Sequence, residues 1–265
     1  MNQNLSDIPV VILCGGRGTR LQEETATRPK PLVEIGGMPI LWHIMKWYAR
    51  FGSRRFVLCL GYKGDMIKDY FLEYQWRKNN FRLDLVSGNK TPLDGVADTA
   101  VEDWEIDFID TGDDTNTGGR VYKIRDYVDG ERFFLTYGDG VADVNIGDLY
   151  RFHLDKGKIA TLTGLHPWSK YGQVVVDEDQ VVKNFIEKPK LKDLINGGFF
   201  IFEAGVFDYL DDDCVLEERP LERLAEDRQI ALYKHEGFWH AMDTYKDFVA
   251  LNEMWEAGNS PWKCW

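Results

Sequence analysis

Two sets of residues in this chain could do chemistry on a phosphate: cations on and after a glycine-rich loop, and two lone aspartates, one directly after an apolar run and one before a helical segment. Val10-Val11-Ile12-Leu13-Cys14 runs straight into Gly15-Gly16-Arg17-Gly18-Thr19-Arg20-Leu21, and Arg28-Pro29-Lys30-Pro31 follows. Glycines let backbone N–H groups approach phosphate oxygens with no side chain in the way. Between Gly15 and Pro31 stand four cations, Arg17, Arg20, Arg28 and Lys30, against Glu23 and Glu24, so a triphosphate would find counter-charges here. The spacing is not a Walker A loop, which needs Gly-Lys-Ser/Thr after four spacer residues. Nor is it the dinucleotide fingerprint, since Leu21 occupies the place of the third glycine. On its glycines alone the loop reads equally well as a tight strand-to-helix turn; the cations tip the balance toward an anion site.

Asp139 lies in Tyr137-Gly138-Asp139-Gly140, directly after the apolar run Phe133-Phe134-Leu135-Thr136. A carboxylate there suits magnesium, which prefers carboxylate oxygens together with substrate phosphates, although Asp-Gly is also a common turn. Asp243 immediately precedes the last helical segment, and locally the better reading is a helix N-cap. Glu187 and Lys188, in Phe185-Ile186-Glu187-Lys188-Pro189, could offer an acceptor to sugar hydroxyls and a cation to a phosphate, or be an ordinary exposed strand end. His43, His153, His166, His235 and His240 have no mutual spacing suited to a metal or a triad and read as structural or surface residues. Cys14, Cys59, Cys214 and Cys264 are scattered and fit reduced thiols; Cys14 reads as a small buried hydrophobe.

These groups need a scaffold that brings strand ends together. Val10–Cys14 and Phe56–Leu60 are continuous apolar runs of the kind found in strands covered on both faces. After Pro39, the spacing of Ile40, Leu41, Ile44, Met45 and Tyr48 predicts an amphipathic helix, and a further helix is expected from about Asp65 to Arg77. Strand, helix, strand, helix points to a right-handed crossover sheet. Residues 81–114 have no clean period and suggest short strands with an exposed loop. Further strands are expected at 133–137, 159–165, 173–176, 181–187 and 198–202, with a hairpin across Asp177 to Gln180, and helices at 220–227 and 245–256. The fold class is α/β, a Rossmann-like mixed but mostly parallel sheet flanked by helices. One domain over 1–265 is expected, its nucleotide-binding part at about 9–145 and its sugar-binding and C-terminal part at about 146–265.

The 265 residues are 44% apolar and 29% charged, a soluble globular profile. A net charge of -12 argues against nucleic acid and anionic membrane as the main partner, because both are held by excess basic charge. Asp7, no basic residue before Pro9, and no long apolar stretch make a cytoplasmic location the expectation. Trp255, Trp262 and Trp265 would suit a subunit interface.

Leu13-Cys-Gly-Gly-Arg-Gly-Thr-Arg-Leu21, Arg28-Pro-Lys-Pro31, Gly138-Asp-Gly140, Phe185-Ile-Glu-Lys-Pro189 and Asn196-Gly-Gly198 together resemble the sugar-1-phosphate nucleotidyltransferase superfamily. Glu23-Glu24-Thr25 and the Leu41-Trp-His-Ile-Met45 helix are similar to its cytidylyl branch, which makes CDP-glucose. Asp110-Thr-Gly112, Thr117-Gly-Gly-Arg120, Met242-Asp-Thr244 and Pro261-Trp-Lys263 extend the likeness over nearly the whole chain. Pro167-Trp-Ser-Lys-Tyr-Gly172 departs from the family's usual Pro-Pro-Gly-Arg-Phe-Gly.

The resemblance implies that Leu13, Cys14, Gly15, Gly16, Arg17, Gly18, Thr19 and Arg20 hold the nucleotide. Arg20 and Lys30 would lie on its phosphates, and Thr111, Thr117, Gly118, Arg120 and Gly138 would complete the pocket. Asp139 and Asp243 would bind Mg2+, with Arg20, Lys30 and Asp139 the catalytic group. Gly172, Glu187, Lys188, Asn196 and Gly197 would take the sugar phosphate. Implied partners are CTP, a sugar 1-phosphate and further copies of the chain, a hexamer among the forms expected. The implied reaction is in-line attack of a sugar-phosphate oxygen on the α-phosphorus of CTP; that oxygen is already anionic, so no general base is needed. Thymidylyl or guanylyl transfer, a catalytically silent nucleotide-sugar sensor and a dinucleotide oxidoreductase are the competing readings.

Overall fold

The structure is a computed structural model that describes residues 5–16, 18–77, 79–93 and 102–265. In chain order, β1 (Val10–Leu13) passes through the glycine loop to α1 (Gln22–Thr25), a small hairpin of β2 (Glu34–Ile35) and β3 (Met38–Pro39), and α2 (Ile40–Arg50). Next come β4 (Arg55–Leu60), α3 (Gly64–Leu72), the pair β5 (Phe81–Leu83) and β6 (Lys90–Pro92), β7 (Glu105–Asp110) and α4 (Thr117–Lys123). The chain continues through β8 (Arg132–Tyr137), β9 (Gly140–Ala142), α5 (Ile146–Lys156), β10 (Ala160–Leu165), β11 (Gln173–Val176), β12 (Val182–Ile186) and β13 (Ile195–Glu203). It closes with α6 (Arg219–Glu226), β14 (Ile230–His235), β15 (Trp239–Ala241) and α7 (Tyr245–Glu256).

Seven of the described strands form one sheet in the order β14-β10-β13-β8-β1-β4-β7, in which β13 alone runs antiparallel to its neighbours. Both faces are covered, which explains the unbroken apolar runs. Val10, Ile12, Phe56, Leu58 and Phe134 face α2, α5 and α7 through Tyr48, Leu149 and Leu251. The alternate residues Val11, Leu13, Val57, Cys59 and Leu135 face α4 and α6 through Val121, Ile124 and Leu224.

Several expectations shift. The helix expected at 65–77 ends at Leu72, where i→i+3 bonds from the Tyr74 and Trp76 amides tighten the chain into turns. The stretch 81–114 contains β7, an edge strand whose acids alternate with Ile and Phe; Asp107 pairs across it with Arg55, and this half-polar pattern hid it. Helix α5 answers to no element read from the sequence, although Asn145 caps it by accepting the Asp148 amide (3.0 Å) and Gly157 ends it at φ 54°. The 117–120 segment, given no element in the sequence reading, opens helix α4. The hairpin of β11 and β12 is as expected, with Asp177 Oδ1 accepting the Asp179 and Val181 amides in its turn. The tryptophans of the C-terminus fold back on their own chain: Trp262 is buried against Phe238, and Trp265 meets Trp42 edge-on. Trp262 is thereby taken off the surface, whereas Trp265 stays 41% exposed.

Candidate active site

The register of the sheet builds the site. Leu13 and Tyr137 end β1 and β8 side by side, and the Gly138 amide donates to the Leu13 carbonyl (3.0 Å), so the glycine loop and Asp139 leave the sheet at one edge. A β-carbon on Gly138 would lie 2.9 Å from that carbonyl oxygen, so the crossing requires glycine. Strand β9 then pairs with β15, Gly140 opposite Ala241, and the Met242 amide donates to the Asp139 carbonyl (2.8 Å). This short ladder brings Asp243 to Asp139.

Lys30 Nζ stands between them, 2.7 Å from Asp139 Oδ2 and 2.8 Å from Asp243 Oδ1. Burial opposes the charge on Lys30, but Asp139 and then Asp243 outweigh it and hold the ammonium pKa above that of free lysine. The capping role expected for Asp243 belongs to its neighbour. Thr244 caps α7, its amide donating to Asp247 Oδ2 (2.8 Å) while its own Oγ1 accepts the Asp247 amide. The Asp243 carboxylate is thereby left to face Lys30.

A hollow of about 390 Å³ beside this group is lined by residues 13–16, Lys30, Thr117, Arg120, Gly138 and Asp139, together with Tyr137 and the 113–116 turn. Arg120 is not a free counter-charge. Its buried guanidinium donates from Nη1 to Leu60 O (3.0 Å), Thr111 Oγ1 (2.7 Å) and Gly112 O (2.8 Å), and from Nη2 to Gly15 O (3.2 Å) and Asp113 O (3.1 Å). It is a strut that ties the glycine loop to the ends of β4 and β7. Thr111 is buried beneath it, and Gly118 packs against Cys214. Thr117 Oγ1 donates to Glu217 Oε2 (2.6 Å).

Among the loop cations, Arg20 and its neighbour Thr19 are exposed and outside the lining of the hollow, and Arg17 lies outside the described residues. Arg28 is drawn elsewhere, paired with Glu24 (3.1 Å) and Glu34 (3.6 Å), so its reading as a phosphate counter-charge is corrected. Gly18 adopts φ 62°, its carbonyl accepting the Thr25 hydroxyl at 2.9 Å. Cys14 is fully buried, and desolvation pushes its thiol pKa well up, as befits a packing residue.

A second hollow, about 640 Å³, takes Asp243 into its lining with Trp168, Lys170, Lys190, His235, Trp239 and His240. Three histidines, His166, His235 and His240, are among the residues that line it. His240 is held by Asp247 (3.1 Å) and His235 by Asp143 (3.1 Å). The five sugar-side candidates gather around this region without lining it. Gly172 faces Glu187, since a β-carbon there would meet Glu187 Oε2 at 3.0 Å, and the exposed Lys188 is 3.6 Å from Glu187 Oε1. Asn196 Nδ2 donates to the Tyr137 hydroxyl (3.4 Å), and the Gly197 carbonyl accepts from Trp239 Nε1 (2.7 Å). Tyr137 also bonds Glu217; burial and that carboxylate raise its pKa and keep it protonated. Tyr137 and Trp168 stand inside sequence motifs that do not mark them as site residues, and Glu217 and Trp239 stand outside those motifs; the tertiary structure picks out all four.

The donor set fits a hard divalent cation: two carboxylates converge on one positive charge beside a hollow that could supply further oxygens. Among the described residues no group of three or more His, Cys, Asp or Glu is arranged to hold a metal, so substrate phosphates would have to complete the shell.

The nucleotidyl transferase family profile matches residues 9–256. A probable glucose-1-phosphate cytidylyltransferase of Bacillus subtilis is 48% identical over 257 residues, 96% of this chain and 99% of that protein. The glucose-1-phosphate cytidylyltransferase of Salmonella typhi is 45% identical over 258 residues, 96% of this chain and 98% of its own. The crystal structure of HddC from Yersinia pseudotuberculosis, complexed with GMP-PN, has the same fold, with a TM-score of 0.67 at 24% identity over 94% of this chain and 99% of that one. The fold, the paired carboxylates beside the glycine loop and this similarity agree: the chain belongs to the nucleotidyl transferase family, with glucose-1-phosphate cytidylyltransferases among its relatives.

Proposed function

We propose that the protein transfers a cytidylyl group from CTP to α-D-glucose 1-phosphate, giving CDP-glucose and pyrophosphate, with Mg2+ at Asp139 and Asp243. The observation that carries this reading is the group Lys30–Asp139–Asp243, whose two carboxylates each line a different hollow. One hollow begins at the glycine loop and suits a nucleotide; the other is walled by tryptophan and histidine and suits a sugar, with its phosphate brought to the boundary. The likeness to cytidylyltransferases at 45–48% identity supports the choice of base and sugar.

Catalysis in this arrangement is positioning and charge neutralisation. The loop amides and Gly138 hold the triphosphate close, Arg120 keeps the loop in place, and Lys30 meets the phosphate charge from the wall of the hollow, joined by Arg20 once its exposed side chain turns in from outside. Asn196, Gly197, Gly172, Glu187 and Lys188 orient the sugar phosphate, whose anionic oxygen needs no base. When bound, the metal supplies Lewis-acid stabilisation of charge developing on the phosphates. Copies of the chain would associate through the hairpin of β11 and β12, where Val174, Val176, Val182, Phe185 and Ile186 are exposed. Among the described residues no helix is long and apolar enough to cross a membrane.

Pyrophosphate release, measured with four nucleoside triphosphates crossed with several hexose 1-phosphates, tests the reading. The expected best pair is CTP with glucose 1-phosphate; a preference for dTTP or GTP overturns the cytidylyl assignment.

A further inference from the structure

Lys30 holds the point at which a cation shared by Asp139 and Asp243 would sit. Its ammonium is within 2.8 Å of both carboxylates, and its side chain is only 12% exposed. Its backbone is fixed: Lys30 opens a single 3-10 turn, Lys30–Leu32, flanked by Pro29 and containing Pro31, and its carbonyl accepts the Val33 amide (3.0 Å). Its side chain is a flexible four-carbon stem, and both Lys30 and Asp139 line the nucleotide hollow. Rotation about the stem can therefore carry the charge from the carboxylates into the hollow without moving the backbone. Magnesium bonds carboxylate oxygens at about 2.0–2.1 Å, and an ammonium at hydrogen-bond distance from the same two oxygens would stand against it, with strong repulsion in a partly buried site.

We propose that Lys30 and the divalent cation are alternative occupants of the Asp139–Asp243 pair. In the free enzyme Lys30 offsets the mutual repulsion of the two carboxylates. A triphosphate in the hollow offers the ammonium a replacement anion, and the carboxylates then pass to the metal. Metal and nucleotide binding are thereby coupled, each favouring the other, and the free enzyme binds divalent cations weakly. The proposal rests on the assignment of this pair as the metal site.

The test is Mn2+ binding to the whole chain without nucleotide, read from the electron paramagnetic resonance signal of free Mn2+. Lys30→Met should bind Mn2+ at least about tenfold more tightly than the wild type, as expected when a competing cation is removed. Lys30→Arg, which keeps the charge, should show no such gain, and Asp139→Asn added to Lys30→Met should abolish it. Mn2+ should also raise the Tm of Lys30→Met more than that of the wild type. Lys30→Gln supplies the same comparison if Lys30→Met does not fold. Equal or weaker Mn2+ affinity in the uncharged variants, with binding still dependent on Asp139, would overturn the exchange and leave the metal site standing. No Asp139-dependent binding in any form would overturn both.

Discussion

Asp139 and Asp243 are brought together by backbone, not by side-chain choice: the Met242 amide donates to the Asp139 carbonyl at 2.8 Å, continuing the β9–β15 ladder. Lys30 reaches both carboxylates from a third segment. The triplet joins the 3-10 turn at Lys30, the end of β8 and the entry to α7, so a change in any one is felt by the others.

Replacing either carboxylate by its amide, Asp139→Asn or Asp243→Asn, should lower kcat by about a hundredfold or more, the scale on which a preorganised electrostatic group acts. Steady-state pyrophosphate release at saturating Mg2+ checks this. Near-normal turnover of both variants would remove them from the chemistry.

Gly15 faces Arg120 so closely that a β-carbon would lie 2.1 Å from the guanidinium carbon. Gly15→Ala must push the guanidinium away from the Gly15, Leu60, Gly112 and Asp113 carbonyls it satisfies. The expected cost is about 1–3 kcal/mol of stability, with a rise in KM for the nucleotide because the loop moves. Urea unfolding and nucleotide titration measure the two effects, and unchanged values for both would contradict the strut.

Thr244 and Asp247 form a reciprocal cap at the start of α7. Thr244→Ala should destabilise the protein by about 1 kcal/mol, whereas Thr244→Ser should be close to neutral. Thermal unfolding of the two variants distinguishes loss of the cap from loss of the methyl group.

His43 is buried on α2, with Nε2 2.8 Å from the Ile35 carbonyl, and burial lowers its pKa from 6.5 to about 4. The unfolded chain thus takes up a proton between these values that the folded chain refuses. Stability should fall as pH drops from about 6.5 to about 4, by up to about 3 kcal/mol from this residue. His153, lowered in pKa chiefly by burial, adds in the same direction. Urea unfolding across this range should show a slope that shrinks in His43→Leu; an identical slope would mean that His43 does not carry it.

Local patterning was enough to place most of the sheet and the helices α2, α6 and α7, because a strand covered on both faces and an amphipathic helix leave their periods in the sequence. It failed at β7 and α5. In β7, polar residues alternate with apolar ones at a sheet edge, and α5 announces itself by its caps more than by its apolar content.

For the site, the sequence by itself determined the glycine loop, Lys30, Asp139 and the resemblance that singled out Asp243, since backbone freedom and charge are properties of residue types in order. Only the tertiary structure decided what those charges do. It gave Arg28 to glutamates, made Arg120 a strut, moved the helix cap from Asp243 to Thr244, and brought Trp168, Trp239, His235 and His240 to a second hollow. The reason is physical: a charge acts through its nearest partners, and strand pairing between distant segments, as between β9 and β15, decides which partners those are.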